Sequence, residues 1–127
     1  MELTDAMIDA ARKAVPVRDG ITEHHDCVRI AYQWLDAQTP TRTPLRHIYP
    51  LKHLIEQWGG RYVSEYDVRV AAYLHPNVRG DYPAYTISSR LTEPSIRRLE
   101  GIGQAMTQDQ RSRHRPDAYA RQEDAHD

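Results

Sequence analysis

Proline and glycine cut this chain into short helical lengths, and no other feature constrains its fold as much. Apolar residues recur at helical spacing in stretches bounded by Pro16, Pro40, Pro50, Gly59-Gly60 and Pro76. A proline inside a helix removes a backbone donor and clashes with the preceding turn, so one long helix is excluded. What remains is a set of short amphipathic helices that must pack on one another.

The first runs from Thr4, as cap, to Val15, with Met7, Ile8, Ala11 and Val15 on one side. Pro16 and an Asp19-Gly20 turn end it. A second helix is expected from Thr22, its stripe being Cys27, Ala31, Trp34, Leu35 and Gln38, and Thr39-Pro40 stops it. Leu45–Tyr49 reads as a short turn. A fresh helix then follows Pro50, with Leu51, Leu54, Ile55 and Trp58 at i, i+3, i+4, i+7 and Gly59-Gly60 closing it. Ser64 and Asp67 are spaced as a capping box for a fourth helix, whose buried side is Val68, Ala71, Ala72 and Leu74. Gly80-Asp81 signals a turn, and Tyr82 to Leu91 alternates as a strand with Tyr85, Ile87, Ser89 and Leu91 on one side. A last helix is expected from Ser95 to Met106, despite Gly101 and Gly103.

The expected class is mainly α with a small β-hairpin (α+β), in one compact domain. It comprises an N-terminal helix over 1–20, a helical core over 21–107 and a flexible polar tail over 108–127. The 127 residues suit one domain rather than two.

Charge is unevenly placed. The formal net charge of -1 excludes a uniformly basic nucleic-acid coat, yet residues 42–98 hold nine basic side chains against five acidic ones, between two acidic ends. Six of the eight tyrosines lie in that same middle, and the chain has no phenylalanine. Every aromatic ring therefore carries a polar handle, suited to half-buried contact surfaces. Of the 17 basic residues only Lys13 and Lys52 are lysine, and arginine is the better fork for phosphate and guanine. A GC-rich genome would give the same bias. The single cysteine, Cys27, excludes an internal disulfide framework and fits a reducing, cytoplasmic setting. No apolar run approaches a membrane span, and the acidic amino terminus is unlike a signal peptide.

The segment Val63-Ser64-Glu65-Tyr66-Asp67-Val68-Arg69-Val70-Ala71-Ala72-Tyr73-Leu74, preceded by the Leu51–Trp58 helix and followed by a hairpin, resembles a winged helix-turn-helix DNA-binding domain over residues 28–91. Ser64, Val68 and Ala71 match the cap and the two apolar positions that lock a recognition helix onto the helix before it. The resemblance implies a winged-helix-like fold and a transcriptional regulator or accessory factor reading duplex DNA, without catalysis or cofactor. Glu65, Tyr66, Arg69 and Tyr73 would project from the recognition helix, with Arg69 on guanine and Glu65 repelled by phosphate unless it accepts from a cytosine amine. Tyr62 and Ser64 would touch phosphate, Arg79 and Arg90 would sit on the wing, and Arg42, Arg46 and Lys52 would hold flanking phosphates. Paired half-sites would require a homodimer. The same positions also permit ordinary surface ion pairs, Arg69 with Glu65 and Arg79 with Asp81.

The competing expectation is a non-enzymatic protein-binding module, an adaptor or an inhibitor of a nucleic-acid enzyme, using the Tyr/Arg-rich face as contact hot spots. Two chemistries are set aside. In His24-His25-Asp26-Cys27, neighbouring helical side chains diverge by about 100° and cannot easily converge on one metal ion. Cys27 lies on the Trp34 stripe and reads as a small core residue rather than a nucleophile.

Overall fold

The computed structural model describes residues 2–16 and 22–124; the expected Asp19-Gly20 turn lies outside them. Four α-helices carry the chain: α1 (Asp5–Ala14), α2 (His25–Asp36), α3 (Leu51–Gly59) and α4 (Glu65–Leu74). A small antiparallel hairpin follows, β1 (Gly80–Asp81) with β2 (Ala84–Tyr85), and the architecture is mainly α with a small β component. No helix of the described residues is long and apolar enough to cross a membrane.

Local chemistry accounts for the helix ends. Thr4 caps α1 through its hydroxyl, which accepts from the Met7 amide. The second helix starts later than expected. His24, not Thr22, is its cap, with Nδ1 accepting from the Asp26 amide. Pro50 precedes α3 without a side-chain cap, and Gly60 closes it at φ 65, a left-handed conformation that glycine adopts without penalty. At α4 the reciprocal box forms as expected: Ser64 accepts from the Asp67 amide, and Asp67 accepts from the Ser64 amide.

The core centres on α2, whose Cys27, Val28, Ile30, Ala31 and Trp34 are fully buried. α4 packs chiefly on α2 and on α1, while α3 packs on α2 and on a 3-10 turn at Asp109–Arg113. Val68 and Ala71 are buried as expected, but the helix they sit on docks against α2 rather than locking onto α3. The reason is size: the Trp34 helix presents the broadest apolar side, so both later helices gain most by covering it. Gly59 permits the close approach of α3, since a Cβ there would stand 2.5 Å from Ile30 Cγ2.

Three further expectations differ from the fold. The strand over Tyr82–Leu91 is reduced to Ala84–Tyr85 plus an isolated bridge between Pro40 and Ile87, although Tyr85, Ile87 and Leu91 are all buried. The helix over Ser95–Met106 is only a 3-10 turn at Ile96–Leu99, because Gly101 takes φ 81 and breaks it. Residues 108–124, expected as a flexible tail, fold back onto the body. They form 3-10 turns at Asp109–Arg113 and Pro116–Ala118, then β4 (Arg121–Gln122) lies parallel to β3 (Thr92–Glu93). Tyr119 drives this, buried with its hydroxyl accepting from Trp34 Nε1 at 2.9 Å.

Arg98 clamps this returning segment. Its guanidinium donates to Asp36 at 2.8 Å and to Glu123 at 2.6 and 2.7 Å. At Asp36 burial raises the carboxyl pKa, but hydrogen bonds from Arg98 and His75 outweigh it and hold the group below its ordinary range. The Arg98 bond does the same for Glu123. Depressed carboxyl values stabilise the fold above the ordinary pKa, and that stability is lost as pH falls through the folded values. Arg98→Met should therefore cost about 1 kcal/mol at pH 7 and flatten the fall of the unfolding temperature on acidification. An unchanged acid limb in thermal melts between neutral and acidic pH would overturn this assignment.

Candidate functional site

The capping box of α4 opens onto a cleft of about 680 Å³. Its floor is the start of α4, one wall is the end of α1, and the other is the β1–β2 hairpin. Tyrosines build it. The Tyr66 hydroxyl lies 3.0 Å from both the Arg12 and Val15 carbonyls, satisfying acceptors that the last turn of α1 leaves open. The Tyr82 hydroxyl accepts from the Lys52 amide at 3.2 Å, serving an orphan donor in the first turn of α3, where Pro50 supplies no cap. Tyr66 thus fastens α4 to α1 and Tyr82 fastens the hairpin to α3, while both residues line the cleft.

Tyr85 differs. Only 2% exposed and set edge-on to Tyr82 at 6.1 Å, it lines the cleft with no hydrogen-bond partner for its hydroxyl among the described residues. Burial pushes the Tyr82 and Tyr85 hydroxyls above the ordinary phenol range, so both stay neutral near pH 7.

The charges of the cleft are mixed. Lys52 Nζ lies 3.4 Å from Glu56 and 4.7 Å from the centre of the Tyr62 ring. Arg69 pairs with Glu65 at 2.8 Å, as the surface-pair reading expects, and its guanidinium stands 5.6 Å from the centre of the Tyr82 ring. Glu23 pairs with Arg61 at 3.1 Å. Asp81, exposed at the hairpin edge, makes no ion pair among the described residues, with Arg79 or any other cation. Among the described residues, two cations and three carboxylates therefore line one concavity.

Of the residues expected to face DNA, the structure gathers Lys52, Tyr62, Ser64, Tyr66 and Arg69 around this cleft. Tyr66 is a correction: it is buried and bonded to α1 rather than projecting from α4. Arg42 and Arg79 meet at a separate depression. Arg46, Tyr73 and Arg90 are exposed and lie outside both. Glu23, Asp81, Tyr82 and Tyr85 are lining residues from outside the expected set. The Tyr82-Pro83-Ala84-Tyr85 spacing across a turn is a readable signal for two of them. Glu23 arrives from a distant part of the chain and carries none.

The residues of the His24-His25-Asp26-Cys27 run turn to separate partners. His24 caps α2, His25 bonds Asp9 at 2.7 Å, and Asp26 accepts from Arg29 at 2.7 Å and from the Gln104 amide at 3.0 Å. Burial first, then the nearby Asp67 carboxylate, pushes the Cys27 thiol up to about 12, which makes it inert. Among the described residues no group of three or more His, Cys, Asp or Glu side chains is placed to hold a metal ion.

Comparison with protein-family models, with curated proteins and with solved structures finds no match. The reading of the site rests on its own geometry.

Proposed function

We propose that the chain is a protein-binding module whose tyrosine-lined cleft takes an extended, basic segment of a partner. The observation that carries this reading is the cleft itself: concave, walled by Tyr62, Tyr66, Tyr82 and Tyr85, and lined, among the described residues, by more carboxylates than cations. Aromatic grooves bind extended peptides by ring contact and by hydroxyl donors to the peptide carbonyls. The Tyr85 hydroxyl, without a partner among the described residues, offers such a donor, and Tyr82 beside Asp81, which pairs with no described cation, suits an arginine or lysine.

Duplex DNA fits this surface less well. It needs an outward-facing basic surface, whereas Arg69 is engaged by Glu65 and the expected phosphate contacts divide between two sides of the fold.

The test is a fluorescence titration of labelled extended peptides containing arginine or lysine beside proline, run in parallel with duplex DNA at about 50 mM and about 200 mM salt. Binding of the basic peptides is expected, weakened roughly tenfold or more by Asp81→Arg and by Tyr85→Phe, a loss of about 1.4 kcal/mol or more. Tyr85→Phe should leave the unfolding temperature unchanged, because no described residue partners the hydroxyl. Steeply salt-dependent DNA binding that Asp81→Arg strengthens would replace this reading with the DNA one.

A further inference from the structure

A second depression, of about 420 Å³, lies away from the cleft, where the loop after α2 meets the loop after α4. Thr86 holds the two loops together. Its carbonyl accepts from the Thr41 amide at 3.0 Å, its hydroxyl accepts from the Arg79 amide at 2.9 Å, and its own amide donates to the Arg79 carbonyl at 3.0 Å. Thr86 is itself buried, so this staple is shielded from competing water. It brings Arg42 and Arg79, 37 positions apart in the numbering, onto the walls of one concavity.

Every side chain on those walls is a donor or is uncharged. Arg42, Arg79 and the Asn77 amide supply N–H groups, Pro40 and Pro76 stiffen the rims, and no carboxylate among the described residues lines the site. Neither arginine forms an ion pair among the described residues, whereas Arg29, Arg61, Arg69, Arg98 and Arg115 do. Two like charges on one concavity, with no counter-charge among the described lining residues, both attract an anion that enters it. Guanidinium forks match the tetrahedral oxygens of phosphate and bind them through short, charge-assisted bonds.

We infer that the Arg42–Arg79 depression is a binding site for a terminal phosphate, as carried by a phosphate monoester. A monoester presents three oxygens to a concave pair of forks. The diester backbone of a duplex offers only two, and it runs along a ridge rather than ending in a pocket. The site is independent of the tyrosine cleft, and either can fail without the other.

The experiment uses the full chain with inorganic phosphate as probe and sodium chloride at matched ionic strength as control, read by chemical-shift changes of the arginine Nε–H signals and by unfolding temperature. Phosphate is expected to shift the Arg42 and Arg79 signals and to raise the unfolding temperature above the chloride control. Arg42→Ala and Arg79→Ala should each weaken phosphate binding at least about tenfold, with their own unfolding temperatures in chloride unchanged, because both side chains are exposed. Arg42→Lys should fall between, keeping the charge and losing the fork. Phosphate and chloride acting alike, or binding that survives both alanine variants, would overturn the site. Duplex DNA that binds and is lost in the same variants, undisplaced by phosphate, would overturn the monoester assignment in favour of a nucleic-acid backbone.

Discussion

Ending the chain at Thr107 is expected to remove about 3–5 kcal/mol of stability, the range for deleting a large buried aromatic contact. That is a large share of what a domain of this size possesses. The segment beyond Thr107 is almost wholly polar, and from its composition its loss should cost nothing. Tyr119 decides otherwise. Its ring lies 6.4 Å from that of Trp34, which is fully buried beneath it, and its hydroxyl is the acceptor for the Trp34 indole N–H. Arg111 donates to the Trp58 carbonyl at 2.9 Å, satisfying an acceptor near the end of α3. Ala120 and Arg121 both donate to the Leu91 carbonyl. Truncation would uncover Trp34, strip these bonds and leave an indole donor without a partner. Urea unfolding should show a lower midpoint with a similar slope. Tyr119→Phe isolates one component: it keeps the ring, orphans the Trp34 donor and should cost about 1–3 kcal/mol. A truncated chain as stable as the full one would show that the segment merely rests on the surface.

The second large effect is expected at Asp67. This carboxylate is fully buried, and one oxygen accepts from the Ser64 amide and from the Ser64 hydroxyl, each at 2.8 Å. The other oxygen, Oδ1, is buried without a partner. Asp67→Ala removes the reciprocal cap of α4 and strands the Ser64 donors, a loss of about 2–3 kcal/mol. Asp67→Asn keeps one acceptor for Ser64 and removes the buried charge, so it should cost less than half as much. The pH dependence separates the two roles. Burial raises the Asp67 pKa against the opposing hydrogen bonds from Ser64. A raised folded value contributes stability below the ordinary aspartate pKa, and this is lost as pH rises through the folded value. Asp67→Asn lacks that loss, so its stability relative to the parent chain should improve as pH rises from about 4 to 7. A difference that is flat in pH would mean that the carboxylate is adequately solvated where it sits.

The same reasoning revises what the aromatic composition means. The absence of phenylalanine reads, in sequence, as preparation for a contact surface. In the fold several tyrosine hydroxyls serve the protein itself. Tyr49 donates to the Ser89 carbonyl at 2.6 Å, Tyr66 serves the end of α1, Tyr82 the start of α3, and Tyr119 the Trp34 indole. Tyr85 is the exception in the cleft, which is why the proposed peptide reading leans on it.

Local signals were readable where one short stretch settles the outcome. Thr4, the Ser64–Asp67 box, Gly60 and the helical stripes of Trp34 and Trp58 all act within a few residues, and each formed as spaced. Burial in the 85–91 region was readable too, since alternation fixes which side chains turn inward even where no ladder forms. The failures share a different physics. The polar composition beyond Thr107 hides Tyr119, because a single aromatic ring carries little weight in a local average yet dominates where it lands. The α3–α4 pairing of a helix-turn-helix rests on which apolar side is broadest, and α2 attracts both helices. No spacing rule announces that Glu23 joins Tyr82 and Asp81 in one cleft, or that Thr86 holds Arg42 beside Arg79. The sequence by itself determined the caps of α1 and α4 and the close of α3, because capping and the glycine turn act over one helical turn. Only the tertiary structure decided which charged groups stand paired and which stand free, because that depends on long-range packing that no segment contains.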